Sequence, residues 1–294
     1  MCCLVGGVLD EFRFSARNVR ELLEGHGFRF SKSLGQNFLV DANIPEKIVR
    51  LSGIDEGCCV LEVGPGIGAL TSVLCKVAGE VVAVELDGRL LPILRDVLDG
   101  CQNVEVVQGD ILKMDIGQLV SGKISATKRV CANLPYNITT PALTVLIEAD
   151  VFESITVMIQ REVAARICAK PGSPEYGAFT VYSNYHTKPE ILFDVPPECF
   201  VPRPKVHSSV VTMKTRSEKL LNPVEEAAFF RVVRAAFGQR RKTLINALHA
   251  AFGNTMRKDE IADRVIKCGF DTKVRGETLG IEEFILLTRV MAQS

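Results

Sequence analysis

The sequence predicts an α/β fold in which an open parallel sheet carries helices on both faces and a small all-helical domain follows. From Cys58 onward, short apolar runs alternate with segments of helical periodicity, which is typical of parallel sheets wound on both faces. Residues 223–293 show helical patterns only. We therefore expect an N-terminal extension over residues 1–30, a sheet-containing domain over 31–214 and a helical domain over 215–294.

The predicted elements follow in order along the chain. The strands are the apolar runs at 60–63, 81–85, 104–107, 130–133, 154–159 and 208–213. The helices are the segments of helical periodicity at 16–24, 69–78, 89–98, 224–237, 242–252, 259–268 and 282–291. A further helix is predicted to begin at Asn43, which would act as its N-cap, with Glu46 three residues later.

Composition and charge exclude several classes of protein. The formal net charge of zero argues against a strongly basic nucleic-acid binder, but residues 201–250 carry ten basic side chains against three acidic ones and could face a polyanion. The ten cysteines include no Cys-x-x-Cys pair and no zinc spacing, so we predict reduced thiols in a cytoplasmic protein and no metal site. No apolar run reaches the roughly 20 residues of a membrane span, so we predict no membrane partner.

A glycine-rich loop, Gly64-Pro65-Gly66-Ile67-Gly68, joins a predicted strand to a helix, where glycines let the backbone approach a ligand closely. Glu85 lies nineteen positions after Gly66 at the end of the next strand and could bind ribose hydroxyls. This spacing alone leaves NAD and S-adenosylmethionine both open. The glycine spacing, Asp110 at the end of the third strand and residues 133–136 after the fourth favour S-adenosylmethionine as the cofactor. The alternative is that the glycines serve tight packing and the acids lie on solvated loops.

The tetrapeptide Asn133-Leu134-Pro135-Tyr136 is the candidate for the chemistry. Asn133 offers an uncharged amide oxygen as an acceptor, and Pro135 removes a backbone donor. Tyr136 offers a flat ring on which a base could stack. This set suits an exocyclic amino group whose hydrogens are held while its lone pair attacks. The alternative is an ordinary turn after a strand.

Several stretches resemble motifs of the ribosomal RNA adenine N6-dimethyltransferases, and within that family the KsgA type, which acts on small-subunit ribosomal RNA. These stretches are residues 35–39, 62–66, 133–137, 200–206 and 237–244. The resemblance extends over residues 30–292, and the last stretch distinguishes this type from the large-subunit methylases of antibiotic resistance. Ser33 and Leu34 depart from the pattern, because the family usually carries a basic residue and an aromatic there.

The resemblance implies a cofactor site and a catalytic loop. The residues that would contact S-adenosylmethionine are Asn37, Leu39, Gly64, Gly66, Glu85, Asp110, Ile111 and Asn133. Among them Glu85 would bind the ribose hydroxyls and Asp110 the adenine amino group of the cofactor, while Ile111 would cover the adenine face or simply belong to the core. The catalytic residues would be Asn133, Leu134 and Tyr136: the first two would accept the N6 hydrogens of the target adenine, and Tyr136 would stack on its ring.

The resemblance also implies a substrate. The residues that would contact RNA are Arg203, Lys205, Arg240, Arg241 and Lys242, although a solvated basic helix face is the alternative for the last three. The expected activity is N6,N6-dimethylation of two adjacent adenines near the 3′ end of 16S ribosomal RNA, by a monomer acting on assembling small ribosomal subunits in the cytoplasm. Two alternatives stay open, a large-subunit ribosomal RNA adenine methylase and an assembly factor that needs no chemistry.

Overall fold

The computed structural model describes residues 14–30, 35–125, 127–239 and 241–293, and the chain divides into two compact units. The first unit runs to Ala164 and resumes over Glu190–Thr215, and the second takes Ala165–Pro189 and the chain from Arg216 onward. The sequence pattern predicts one uninterrupted domain over residues 31–214. Residues 165–189 instead belong to the second unit, because Tyr176, Val181 and Tyr185 join its apolar cluster.

The first unit is built on a sheet with the strand order β4-β3-β2-β5-β6-β9-β7. The strands are β1 (Phe38–Leu39), β2 (Cys58–Val63), β3 (Glu80–Glu85), β4 (Val104–Gln108), β5 (Thr127–Asn133), β6 (Ser154–Gln160), β7 (Thr187–Val195), β8 (Phe200–Val201) and β9 (Ser208–Thr215). Neighbouring strands in the order β4, β3, β2, β5 and β6 are parallel to each other. Strand β9 pairs with β6 in the antiparallel direction. The central strand β2 is buried at every position, as expected for a parallel strand covered on both faces.

Helices cover this sheet. Those that begin in the first unit are α1 (Ala16–Gly25), α2 (Asn43–Ser52), α3 (Thr71–Val77), α4 (Leu91–Val97), α5 (Ile116–Ser121), α6 (Thr139–Glu148) and α7 (Arg161–Ile167), of which the last crosses into the second unit. Leu74 of α3 belongs to one apolar cluster and Leu94 of α4 to another. The prediction that Asn43 is the N-cap of helix α2 is wrong, because Asn43 is the first residue of the helix. The Asp41 carboxylate accepts the Asn43 N–H at 3.0 Å.

A two-stranded sheet fixes the segment that leads into the site. Strands β1 and β8 pair antiparallel, with Phe38 opposite Val201 and Leu39 opposite Phe200. The N–H of Val40 extends the pairing to the carbonyl of Cys199 at 2.9 Å. Residues 35–39 are thereby tied to a part of the chain about 160 positions later, by backbone contacts of the kind that define a ladder.

The second unit is helical around one apolar core. Its helices are α8 (Ala178–His186), α9 (Pro223–Gly238), α10 (Leu244–Phe252), α11 (Lys258–Lys267) and α12 (Ile281–Met291). Phe229 of α9 and Phe284 of α12 are fully buried in this core. The start of α9 is defined by Asn222, whose side chain accepts the N–H groups of Val224 and Glu225. Among the helices in the described ranges, none has the length and apolar character of a membrane span.

Candidate active site

A pocket lies at the carboxyl ends of β2, β3, β4 and β5, in the first unit. Its walls are residues 35–39, the glycine loop after β2, the end of β3, residues 109–111 and residues 133–138. The empty volume is about 990 Å³, including the solvent at its mouth. This is the position at which open α/β sheets bind ligands, and the predicted cofactor and catalytic residues all line it.

The glycine loop needs glycine for two reasons. Gly64 and Gly66 have φ values of 68° and 61°, in the left-handed region that side chains disfavour. A Cβ atom on Gly66 would lie 3.0 Å from the ring of Phe38, which is closer than side chains normally approach, whereas one on Gly64 would lie in ordinary contact with Pro135 at 3.5 Å. The loop therefore passes closely between the segment that carries Phe38 and the predicted catalytic loop.

Glu85 is held beside the glycine loop by backbone donors. One carboxylate oxygen accepts the N–H of Gly66 at 3.1 Å, and the other accepts the N–H of Asp87 at 2.8 Å. Burial raises the pKa of the Glu85 carboxyl above its ordinary value, although the N–H groups of Asp87 and Gly66 oppose that shift. Each oxygen has a second lone pair, so the carboxylate can still accept hydrogen bonds from a ligand in the pocket.

Asp110 and Ile111 form the wall of the pocket that follows β4. The Asp110 carboxylate accepts the Leu112 N–H at 3.1 Å, and its second oxygen lies 3.4 Å from the ammonium of Lys113. Ile111 is buried and also lines the pocket, so the two interpretations of this residue, as core and as cover for a ligand, are compatible.

The segment 35–39 meets the predicted catalytic loop directly. The side-chain amide of Asn133 donates to the carbonyl of Asn37 at 3.3 Å, and the Asn37 amide donates to the carbonyl of Gly35 at 3.0 Å. The first contact occupies an N–H of Asn133, so its Oδ1 is the end that can accept from a ligand. Leu39 is buried and contributes an apolar surface to the same wall.

The loop after β5 is anchored at each of its residues. The Leu134 N–H donates to the carbonyl of Met158 on β6 at 3.1 Å. The Thr139 hydroxyl donates to the carbonyls of Pro135 and Tyr136, at 3.2 and 3.3 Å. The hydroxyl of Tyr136 is 2.6 Å from that of Ser208 on β9. These contacts connect the loop to β6, α6 and β9.

Glu62 is a pocket residue that the sequence analysis did not select. It lies in β2, is 1% exposed and lines the pocket, and its Oε2 has no hydrogen-bond partner among the residues that the structure describes. Burial raises its pKa to about 8, the nearby Glu85 carboxylate adds to the rise, and the Thr71 side chain opposes it. An acid inside an otherwise apolar strand, two residues before a glycine loop, was the signal available in the sequence.

The predicted RNA-binding residues fall in both units. Arg203 and Lys205 are exposed in the first unit, where Arg203 forms an ion pair with Glu198. Arg241 and Lys242 are exposed in the second unit, just before α10. Arg240 lies outside the described residues, as do residues 1–13 and the departures at Ser33 and Leu34. Contact of these side chains with RNA stays a prediction.

Comparisons with known proteins give one consistent result. A family model described as ribosomal RNA adenine dimethylase matches residues 27–284. The ribosomal RNA small subunit methyltransferase A of Shouchella clausii is 46% identical over 91% of each chain, and that of Clostridioides difficile is 44% identical over 95% of this chain and 97% of the relative. Among solved structures, a dimethyladenosine transferase from Plasmodium falciparum has a TM-score of 0.71, with 24% identity over 85% of this chain and 95% of that one. The 23S rRNA methyltransferase ErmE has a TM-score of 0.68, with 25% identity over 87% of this chain and all of that one.

Proposed function

The chain belongs to the ribosomal RNA adenine dimethylase family, and we propose that it dimethylates N6 of two adjacent adenines near the 3′ end of small-subunit ribosomal RNA. It is a methyltransferase whose cofactor is S-adenosylmethionine and whose substrate is ribosomal RNA. The choice of the small subunit is supported by the relatives named for it, which match nearly the whole length of the chain. The observation that carries the chemistry is the anchored loop of residues 133–136 at the wall of the pocket.

The pocket residues fit S-adenosylmethionine. Glu85 and Asp110 present carboxylates to the pocket, where hydroxyl and amino donors of a nucleoside would be recognised. The glycine loop allows a close backbone approach, and the unpartnered Oε2 of Glu62, whose carboxyl is protonated at neutral pH, offers a further hydrogen-bonding atom. When bound, S-adenosylmethionine supplies an electrophilic methyl group on a sulfonium.

Asn133 and Leu134 would activate the target amine. The N6 nitrogen of adenine is a poor nucleophile because its lone pair is delocalised into the ring. Asn133 Oδ1 and the Leu134 carbonyl would accept its two hydrogens and stabilise the positive charge that develops on nitrogen. The contact to Asn37 orients the Asn133 side chain, and the contact of the Leu134 N–H to Met158 holds the backbone next to the Leu134 carbonyl, so little reorganisation would be needed during the reaction.

Tyr136 would hold the target base. A base must leave its stack before its exocyclic amine can enter a pocket, and an aromatic face compensates for part of the lost stacking. Stacking on an aromatic side chain contributes about 1–3 kcal/mol per base. A singly methylated amine that rotates and keeps one hydrogen bond would then accept the second methyl group.

The basic side chains would provide the sequence-independent part of RNA binding. Arg203, Lys205, Arg240, Arg241 and Lys242 lie in the part of the chain where basic residues outnumber acidic ones. Contacts of this kind give affinity that falls as salt rises. The proposed setting is an assembling small subunit in the cytoplasm, on which the enzyme acts as a monomer.

The direct test is transfer of labelled methyl groups to unmodified small ribosomal subunits by the parent protein and by Asn133→Ala, followed by nuclease digestion. We expect label in N6,N6-dimethyladenosine with the parent protein and its loss in the variant. Isolated large subunits form the parallel arm, and label there instead would support a large-subunit methylase. If the parent bound small subunits without transferring label, the assembly-factor alternative would replace the proposal.

A further inference from the structure

The hydroxyl of Tyr136 forms a hydrogen bond with Ser208, a residue outside the loop of residues 133–136. Its oxygen is 2.6 Å from Oγ of Ser208, which follows 72 positions later at the start of β9. Tyr136 is half-buried and lines the pocket, whereas Ser208 is fully buried and is not one of the residues that form the pocket wall. The bond therefore connects the candidate base-stacking surface to the interior of the sheet.

Ser208 is held in place by the sheet itself. It pairs with Gln160 at the end of the antiparallel β6–β9 ladder. The backbone carbonyl of the neighbouring residue His207 accepts the N–H of Arg161 at 3.0 Å. Because β9 lies between β6 and β7, its backbone position is determined on both sides. The Ser208 hydroxyl is consequently a fixed point to which a side chain can be anchored.

The Tyr136 ring is held at both ends. At the backbone end, the Thr139 hydroxyl donates to the carbonyls of Pro135 and Tyr136. At the other end, the phenol is bonded to Ser208. The phenol oxygen lies on the long axis of the ring, so fixing the backbone and this oxygen defines the direction of that axis and therefore where the ring lies in the pocket. Burial raises the pKa of the Tyr136 phenol, which keeps it protonated and able to take part in the bond around neutral pH.

We propose that Ser208 is a positioning residue for methyl transfer, because its hydroxyl fixes the direction of the Tyr136 ring axis and so the place of the ring on which the target adenine stacks. The inference rests on the proposed function of Tyr136. Without this bond the side chain could swing about its first torsion, and the ring would still bind the base but would place N6 less often opposite Asn133 and Leu134. The loss would consequently fall on kcat rather than on KM for the subunit, which depends on many contacts away from the base.

The next residue supplies a matched control. Ser209 is also fully buried in β9, and its hydroxyl also makes a 2.6 Å hydrogen bond, to the carboxylate of Asp194 instead of to Tyr136. Ser208→Ala and Ser209→Ala therefore remove the same group, at the same burial, from adjacent positions of one strand. Only the first removes the anchor of the ring.

The experiment measures kcat and KM for small subunits in Ser208→Ala, Ser209→Ala, Tyr136→Phe and the double variant Ser208→Ala/Tyr136→Phe. We expect Ser208→Ala and Tyr136→Phe each to lower kcat roughly five- to thirty-fold, the equivalent of one lost hydrogen bond, with KM little changed. The double variant should be no slower than the slower single variant, because both changes remove one bond. Ser209→Ala should keep the parental kcat.

Tyr136→Phe keeps the measurement informative if Ser208→Ala fails to fold, because it removes the same bond from the half-buried partner. Parental kcat in Ser208→Ala or in Tyr136→Phe would overturn the inference, as would multiplicative losses in the double variant or an equal loss in Ser209→Ala. A parent protein that transferred no methyl group to small subunits would overturn the proposed function and this inference with it. An active parent beside an unimpaired Ser208→Ala would overturn the inference alone.

Discussion

The side-chain amide of Asn133 donates a hydrogen bond over 3.3 Å to the backbone carbonyl of Asn37, 96 positions earlier in the chain. This bond joins the loop after β5 to the segment that enters the pocket through β1. It also selects one orientation of the amide, with Oδ1 directed away from the Asn37 carbonyl. The acceptor that we propose for the target amine is thereby oriented by a residue on another wall of the pocket.

Asn133→Asp tests that orientation, because it keeps the shape of the side chain and removes its N–H. The new carboxylate and the Asn37 carbonyl would repel each other, so the side chain should turn. We expect kcat to fall roughly 10²- to 10³-fold, as for the loss of one preorganised polar group at a site of developing charge. Single-turnover transfer of label to small subunits measures the effect.

Asn103→Asp is the control for this substitution. The amide of Asn103 also donates to backbone carbonyls, those of Cys75 and Ala78, but the residue does not line the pocket. The folded Asn103→Asp protein should keep the parental kcat. Parental activity in Asn133→Asp would show that the bond to Asn37 is dispensable.

Gly66→Ala should weaken cofactor binding. The added Cβ would meet the Phe38 ring at 3.0 Å in a backbone conformation that alanine disfavours, so the loop or the segment that carries Phe38 must shift. We expect the Kd for S-adenosylmethionine, measured by calorimetry, to rise roughly tenfold or more, equivalent to at least about 1.4 kcal/mol. Gly100→Ala is the control, because Gly100 has a φ of 88° but open space around its Cβ position. Equal affinities in the two variants would contradict a steric role for Gly66.

Glu62→Gln should stabilise the protein increasingly as the pH rises from 4.5 to 8. The pKa of Glu62 is about 8 in the folded protein against an ordinary value of 4.5, so in this range the unfolded chain ionises while the folded protein does not. Ionisation of the unfolded state lowers the free energy of unfolding of the parent as pH rises, and glutamine removes that term. The difference at pH 8 should be on the order of a few kcal/mol. Urea unfolding of both proteins across the range measures it.

Glu80→Gln should change the pH dependence of the free energy of unfolding in the opposite direction. The backbone N–H of Ser125 lowers the pKa of Glu80, so this carboxylate stabilises the folded protein above its ordinary pKa and loses that effect as the pH falls. The variant should therefore be less stable than the parent near neutral pH, and the difference should vanish in acid. Parallel pH profiles for Glu62→Gln and the parent would show that Glu62 ionises normally.

Replacing Arg241 and Lys242 together with glutamine should weaken binding of small-subunit RNA and reduce its salt dependence. Each lost phosphate contact lowers the slope of log affinity against log salt by about 0.7 to 0.9, so two contacts should change it by about 1.5. Filter binding over a range of potassium chloride concentrations measures the slope. Arg257→Gln is the control, since Arg257 is paired with Glu260 at 3.1 Å. An unchanged slope in the double variant would contradict phosphate contact.

The strands and helices were predictable where a short stretch of sequence shows a clear apolar run or helical periodicity. The runs that became β2 to β6 and β9 are apolar and short, and helices α9 to α12 come from stretches with clear helical periodicity. Strand β7 was missed because Lys188, Pro189, Glu190 and Asp194 interrupt its apolar residues. It ends the strand order, and proline and charge are tolerated at a sheet edge.

The part of the candidate site that lies at the ends of strands was predictable from the sequence. The sequence predicts the glycine loop, Glu85, Asp110 and Asn133 as cofactor-binding residues, and the structure brings them to one pocket, although their functions stay predictions. The bond between Tyr136 and Ser208 could not be predicted, because it depends on β9 inserting between β6 and β7. The position of β9 depends on strand pairing across the whole sheet, which the residues near Tyr136 and Ser208 do not determine.

The discontinuity of the first unit has a consequence for synthesis of the chain on the ribosome. The segment Glu190–Thr215 supplies β9, which covers the edge of β6 and carries the anchor of Tyr136. A nascent chain that ends before residue 208 therefore leaves β6 as an open edge, a template for wrong pairing. Limited proteolysis of ribosome-bound chains arrested before and after β9 should find residues 154–160 protected only in the longer ones. The order of translation thus leaves the loop of residues 133–136 without the anchor of Tyr136 until residues 208–215 have emerged.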